Sequence, residues 1–166
     1  MAQLTYSYAT PQAVAGGIAD ISDYVINSRI NSETDGVLKF GMGVTVGSTP
    51  GTNVALPSAS TDAFEGVVTN GFTTEHNLTG TVALGNKATV GCMTHGKVWA
   101  MVAPSESIAY NDVAYCYYSG SYKGCFGATS TYGLPVGTFK GAFATASNAY
   151  GIGLVELGYD HDTLPA

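Results

Sequence analysis

The sequence predicts an all-β fold, a single domain built as a β-sandwich or a jelly-roll-like small barrel. Three observations favour this fold. Helical periodicity is weak along the chain, short runs rich in Val, Thr, Tyr and Phe recur, and Gly, Pro, Asn and Ser separate those runs. With 166 residues, the chain has the length of one domain and can bury a core without disulfides or metals.

The apolar runs predict a series of short strands. The predicted strands are 23–30, 37–46, 64–69, 79–84, 87–91, 97–103, 113–118, 123–127, 136–144 and 151–157. Turn signals lie between them, most clearly "GSTPGTN" at 47–53, "LPSAST" at 56–61 and "SGSY" at 119–122. Many short strands at this spacing are typical of a sandwich or a small barrel.

The two ends of the chain are expected to differ from a β-domain that spans residues 20–160. Residues 1–19 carry no charged side chain and contain Tyr6, Tyr8 and the flexible run "AVAGG". Two interpretations of this segment stay open: a frayed terminus, or an extended N-terminal arm whose tyrosines contact a neighbouring chain or the surface the protein binds. Residues 161–166 are predicted to be a C-terminal tail.

The composition predicts a thinly charged surface. Only 11% of the residues are charged, and the net charge is −6. Such a surface is either covered by small polar residues or buried against partners. The basic residues are scattered singly, so the chain lacks the basic stripe that nucleic-acid binding needs.

Cellular location is inferred from what the sequence lacks. No apolar run approaches the roughly 20 residues of a membrane-spanning helix. The N-terminus has no basic start followed by an apolar core, so we expect no signal peptide and synthesis in the cytoplasm. The three cysteines are therefore expected to be thiols.

The stretch "VGCMTHGKVWAMV" at 90–102 places Cys92 three residues before His95. In a strand, positions three apart point in opposite directions, so the two side chains would converge only if 94–96 formed a turn. A tetrahedral zinc site needs four ligands, and the sequence offers no second Cys/His pair. The pair is thus predicted to be a strand-end cysteine and a polar turn histidine.

A second candidate is the acidic group of Asp20, Asp23, Glu33 and Asp35. These residues could bind calcium weakly or form a solvated face, and they lack the spacing of an EF-hand loop. No catalytic residue, cofactor site or metal site is predicted, and the chain is not expected to be an enzyme.

Trp99 is predicted to be buried, with Met101 on its own face of the strand and Val98, Ala100 and Val102 on the other. Because both faces are apolar, we expect a strand that is covered on both sides.

Residues 113–127 are predicted to form a β-hairpin. A type II′ turn at Gly120-Ser121 would pair Cys116 with Cys125, both reduced, and would place Phe126 across from Tyr115. The face opposite the cysteines is assigned to the core. Its members would be Val113, Tyr115, Tyr117 and Phe126.

Several stretches carry a family resemblance. They are "ISDYVINSRINSETDGVLKFGMGVTVG" (21–47), "FEGVVTNGFTTEH" (64–76), "VGCMTHGKVWAMV" (90–102) and "FKGAFATASNAYGIGLVEL" (139–157). In this order they resemble the structural cement, or head-decoration, proteins of tailed bacteriophages, over residues 13–157. The resemblance implies a protein without enzymatic activity that binds the outside of an expanded capsid and holds neighbouring major capsid protein subunits together.

The resemblance also implies the partners and the location. The partners would be the major capsid protein and the protein itself, as a homodimer or homotrimer on a local symmetry axis, with no nucleic acid, membrane or cofactor involved. The location would be the outer capsid surface of the virion, after synthesis in the host cytoplasm. The alternative from another class is a non-catalytic carbohydrate-binding β-sandwich that uses exposed Tyr and Trp99.

Overall fold

The computed structural model describes residues 14–21, 23–71 and 84–158, which form an all-β domain. The strands are β1 Val25–Asn31, β2 Gly43–Val46, β3 Asn53–Ala55, β4 Phe64–Val68, β5 Thr89–Val102, β6 Ser107–Ile108, β7 Val113–Tyr117, β8 Phe126–Gly127, β9 Gly133–Phe139, β10 Phe143–Ala144 and β11 Gly151–Leu157. One turn of 3-10 helix covers Gly120–Tyr122.

Strand pairing closes into a small barrel built around β5. One closed series of pairings runs β1-β3-β2-β4-β5 and returns to β1, and we call it the first ring. A second runs β5-β11-β9-β7-β8 and returns to β5, and we call it the second ring. β6 and β10 pair separately. Closure pairs strand edges that an open sheet would expose, and the predicted all-β small barrel is confirmed.

β5 belongs to both rings because it is long, at 14 residues. The sequence predicted two strands here, 87–91 and 97–103, separated by a turn at 94–96, and that prediction is wrong. The segment forms a β-bulge instead, because the register against β1 shifts and leaves Thr94 as an extra residue. Gly96 follows with a φ of +113°, a conformation that favours glycine.

The bulge decides which core each half of β5 faces. Cys92 and Val98 are six positions apart and would share a face in a regular strand. Cys92 instead packs with the first-ring residues Val44 and Val54, whereas Val98 packs with Phe126 of the second ring. The extra residue reverses the alternation, so one strand supplies two cores.

The predicted assignment of side chains to the two faces of the strand around Trp99 is correct. The prediction that Trp99 is buried is wrong. Val98, Ala100 and Val102 are completely buried, whereas Trp99 and Met101 are half-buried. The inner face of β5 packs against the second-ring core, while its outer face is covered only in part.

The hairpin is present, but its predicted register is wrong by one residue. Cys116 pairs with Phe126 rather than with Cys125, and Tyr115 pairs with Gly127. The helical turn at 120–122 lengthens the loop, and Gly124, with a φ of +78°, adds a residue before the ladder begins. In the second-ring core, Phe126 therefore joins Cys116 and not Tyr115.

The other face of this hairpin also differs from the prediction. Tyr117 and Cys125 pack with the first-ring core, and Tyr115 packs against that core while half-buried. Val113 is half-buried. The core face that was predicted from the alternation is therefore split between the two rings.

The other predicted strands agree with the structure to different extents. Strands 23–30, 64–69 and 151–157 match β1, β4 and β11 to within a few residues. Only the end of 37–46 is a strand, because Gly41 has a φ of +80° and the preceding residues form a turn. The predicted strand 136–144 is divided between β9 and β10, and 79–84 lies almost wholly outside the described residues.

The last residues of the predicted arm segment 1–19 pair with the chain's own β5. The Gly16 amide donates to the Trp99 carbonyl at 2.7 Å, the Trp99 amide donates to the Gly17 carbonyl at 2.9 Å, and Ile18 bridges to Val98. These residues thus pair with the chain's own β5. Tyr6, Tyr8 and the tail 161–166 lie outside the described residues.

Candidate interaction surfaces

Cys92 and His95 occupy different environments. The Cys92 side chain is fully buried, and burial, assisted by the nearby Glu65 carboxylate, raises the pKa of its thiol to about 12. His95 lies at the surface, where its Nε2 is 3.5 Å from Asp23 Oδ2. A protonated, buried thiol is a poor nucleophile, so this pair has no arrangement suited to thiol catalysis.

The other two cysteines are free and buried as well. Burial raises the pKa of the Cys125 thiol to about 12 and moves that of Cys116 further above its usual range. All three thiols therefore act as small apolar core groups at neutral pH.

The predicted acidic group is divided in the structure. Asp20 and Asp23 face Lys97 and His95, at 3.6 and 3.5 Å respectively. In contrast, Glu33 accepts a hydrogen bond from the Leu56 amide, and Asp35 accepts one from the Asn86 amide. Within 14–21, 23–71 and 84–158, no three His, Cys, Asp or Glu side chains are grouped so that they could hold a metal ion.

A surface pocket of about 370 Å³ lies beside the bulge of β5. Charged side chains of both signs line it: Asp20, Asp23, His95, Lys97 and Glu156. Lys97 Nζ lies 3.6 Å from Asp20 and 3.9 Å from Glu156. Three carboxylates therefore face one lysine and one histidine, so the pocket carries a net negative charge.

An aromatic surface is built by the loops at 118–122, 132 and 150. We call it the tyrosine face, and it consists of Tyr118, Tyr122, Tyr132, Tyr150 and Lys39. It contains two edge-to-face ring pairs: Tyr118 with Tyr132 at 6.2 Å, and Tyr122 with Tyr150 at 6.0 Å between centroids. Segment 118–122 supplies one ring of each pair. Lys39 Nζ lies 5.8 Å from the centroid of the Tyr150 ring.

Local backbone contacts fix the loops that carry these rings. The Tyr118 amide donates to the Tyr132 carbonyl at 2.9 Å. Gly124 lies so close to Leu56 and Met42 that a side chain there would collide with Leu56. The loop is thus held against the first-ring core, while Tyr132 and Tyr150 remain 60% and 50% exposed.

A second exposed surface, which we call the aliphatic strip, follows the N-terminal segment. It consists of Val14, Ile18, Ile21, Tyr24 and Val25, of which Ile21 is 87% exposed. The strip runs beside the part of β5 that follows the bulge, since Val25 pairs with His95 and Ile18 bridges to Val98.

Comparison with known protein families gives a match over almost the whole chain. The family described as structural cement protein (E217 gp24/Pam3 gp6) matches residues 2–158. The chain belongs to this family.

The fold of this structural cement protein also occurs in a solved structure. A chain of "The capsid of Myoviridae Phage XM1" matches it with a TM-score of 0.66 and 16% sequence identity, over 94% of the cement protein and 99% of that chain. At this identity the likeness shows a shared fold. A search of curated proteins returned no match.

The described part of the cement protein contains no helix that is long and apolar enough to span a membrane. Its exposed aromatic groups were missed by reasoning from sequence, which singled out Tyr6 and Tyr8. A usable signal was present, because Tyr122, Tyr132 and Tyr150 stand at turns, in "SGSY", "TSTYG" and "SNAYG". The side chain of a tyrosine beside a turn is more often exposed to solvent than that of a tyrosine inside an alternating strand.

Proposed function

We propose that this cement protein binds the outer surface of the phage head and stabilises contacts between major capsid protein subunits, without turning over a substrate. The family match over residues 2–158 is the observation that carries the proposal. The XM1 capsid chain with the same fold supports it. In this proposal the protein is made in the host cytoplasm and becomes part of the virion.

The expected assembly is a homodimer or homotrimer seated on a local symmetry axis of the capsid. Capsid sites are arranged symmetrically, and closed oligomers match such sites. A chain with 11% charged residues and 11 tyrosines has the composition of a protein that buries much of its surface against partners.

The N-terminal segment is proposed to be the arm of this assembly. Since Gly16–Ala19 pairs with β5 of the same chain, the arm comprises residues up to 15, including Tyr6 and Tyr8. It would pack on a neighbouring chain. Deletion of residues 2–13 should leave the β-domain folded, as judged by circular dichroism and thermal melting, while weakening attachment to capsids. Equal attachment by the truncated protein would argue for a frayed terminus.

The proposed function is tested with undecorated capsids of the matching phage. Saturating protein should bind in a fixed stoichiometry, seen by co-sedimentation and electron microscopy. It should also raise the temperature and the denaturant concentration at which the capsids disassemble. Binding without any stabilisation of the shell would contradict a cement role. Absence of binding would contradict the major capsid protein as the partner.

A further inference from the structure

We propose that the tyrosine face is the surface that seats on the capsid, and that the capsid surface it meets is polypeptide bearing carboxylates. This inference rests on the proposed function and deepens it, because it names the contact face and the chemistry of its partner.

On this face an unpaired cation lies next to exposed aromatic rings. Three of the six basic residues are paired with carboxylates of the same chain: Arg29 with Glu65, Lys97 with Asp20, and Lys140 with Glu156. Within the described residues Lys39 forms no such ion pair, and its ammonium instead lies over the Tyr150 ring. In a protein of net charge −6, this leaves a cation on an aromatic surface open to a negative partner.

A second cation, Lys123, lies in the loop between β7 and β8 and follows Tyr122 directly. The carboxylate near it, Asp62, is already occupied. Asp62 Oδ2 accepts hydrogen bonds from the Ser58 amide at 2.7 Å, from the Ser58 hydroxyl and from the Ala59 amide. The Asp62 carboxylate therefore stabilises the turn at 58–62.

The rings of the face are suited to protein contact. Tyr brings a large, amphipathic contact area at low conformational cost, and a phenol hydroxyl can donate to a carboxylate or a carbonyl. The two edge-to-face pairs already order the four rings before binding, which reduces the entropy lost on association. Once the face is covered, loss of water strengthens the attraction between Lys39 and a partner carboxylate.

The aliphatic strip does not offer the same complementarity. The charges beside it, in the pocket at the β5 bulge, are paired within the chain, and Lys97 is shared between Asp20 and Glu156. No cation there is left open to attract a carboxylate. Charge complementarity therefore assigns the capsid contact to the tyrosine face.

The test measures binding of purified variants to undecorated capsids by co-sedimentation at low and high salt. Lys39→Glu should weaken binding by about tenfold or more at low salt, and by less at high salt, while Lys39→Met should have a smaller effect. The double variant Tyr132→Ala/Tyr150→Ala should weaken binding by about tenfold or more at either salt concentration.

Matched controls separate a specific contact from a general change. Lys87→Glu makes the same charge change at an exposed lysine that has no ion pair in the described part of the chain. Tyr110→Ala removes a tyrosine that is 63% exposed and lies outside the face. Both controls should bind as the natural protein does. Thermal melting of each variant shows whether it is folded.

The outcomes distinguish the two proposals. If the natural protein binds and stabilises capsids but the Lys39 and tyrosine variants bind equally well, the tyrosine face is wrong and the cement function stands. If the natural protein does not bind, the proposed function itself fails. Competition of capsid binding by oligosaccharides, with loss of that competition in Tyr132→Ala/Tyr150→Ala, would make the face a carbohydrate site and overturn the inference.

Discussion

In the first ring, an ion pair and a buried amide lie beside the apolar core, whereas phenyl rings, aliphatic side chains and a thiol fill the second ring. Arg29 Nη2 lies 2.5 Å from Glu65 Oε1, and the pair joins the two strands on either side of β5. Cys92 is close enough for both charges to act on its thiol. The first ring therefore depends on polar groups that satisfy each other.

The buried polar residues follow the same division. Asn31, in β1, is fully buried, and Thr45, in β2, is nearly so; both use their side chains in hydrogen bonds. Thr138, in β9 of the second ring, is buried as well, but its hydroxyl has no hydrogen-bond partner in the described structure. The comparison teaches that the first ring is sensitive to loss of polar partners and the second to loss of volume.

The largest effect is expected from truncation in the second ring. Phe126→Ala removes a ring that is fully buried, so it should lower the free energy of unfolding by about 3–5 kcal/mol, from lost burial and an unfilled cavity. Trp99→Ala should cost clearly less, because Trp99 is half-buried. Urea denaturation measures both. Equal costs would mean that the outer face of β5 is packed as tightly as the inner one.

The next effect tests the polar first ring. The Asn31 amide donates to the Gly85 carbonyl at 2.8 Å, and its oxygen accepts from the Glu33 amide at 2.9 Å. Asn31→Ala should lower the free energy of unfolding by about 1–3 kcal/mol, because it leaves these backbone groups without their partner. The exposed Asn148 gives the control, Asn148→Ala, which should change stability little. If Asn31→Ala left the free energy of unfolding unchanged, the stability of this ring would come from its apolar residues.

Alkaline pH should destabilise both rings through their thiols. The folded pKa values are raised above the ordinary value of 9.0, so this stability is fully present below pH 9 and is lost as pH rises, because the unfolded thiols ionise first. Between pH 9 and pH 10 the loss should approach about 1 kcal/mol per thiol. Cys92→Ala and Cys116→Ala should each remove the contribution of one thiol to the fall in the free energy of unfolding with pH. Urea denaturation at pH 8 and pH 10 measures this fall. An unchanged slope in either variant would show that its thiol is accessible to water.

The smallest effect concerns two buried threonines. Thr138→Val replaces an unpartnered hydroxyl by a methyl group and should be neutral or slightly stabilising. Thr45→Val should cost about 1 kcal/mol, because the Thr45 hydroxyl donates to the Ala55 carbonyl at 3.3 Å. If Thr138→Val lowered the free energy of unfolding more than Thr45→Val, the first ring would not depend on its polar groups more than the second.

The alternation of apolar residues and the turn signals were sufficient to predict the fold class and most strand positions. The same alternation failed at β5 and at the hairpin, where one extra residue changes the face of everything that follows. Neither Thr94 nor Gly124 is marked as a bulge by local sequence, because a bulge depends on the register of the partner strand. The half-burial of Trp99 has a similar origin, since it depends on how much of the outer face of β5 other segments cover.

The candidate surfaces show the same limit. Composition alone indicated a thinly charged surface, because the number of charged residues does not depend on folding. The pairing of Tyr118 with Tyr132, and of Tyr122 with Tyr150 beside Lys39, was decided by tertiary structure. These residues come from loops that meet only after the rings close. The sequence by itself determined an all-β chain of low charge with the pattern of its family. Which side chains share a face was decided by strand register, because a shift of one residue reverses the alternation and involves segments far apart in the chain.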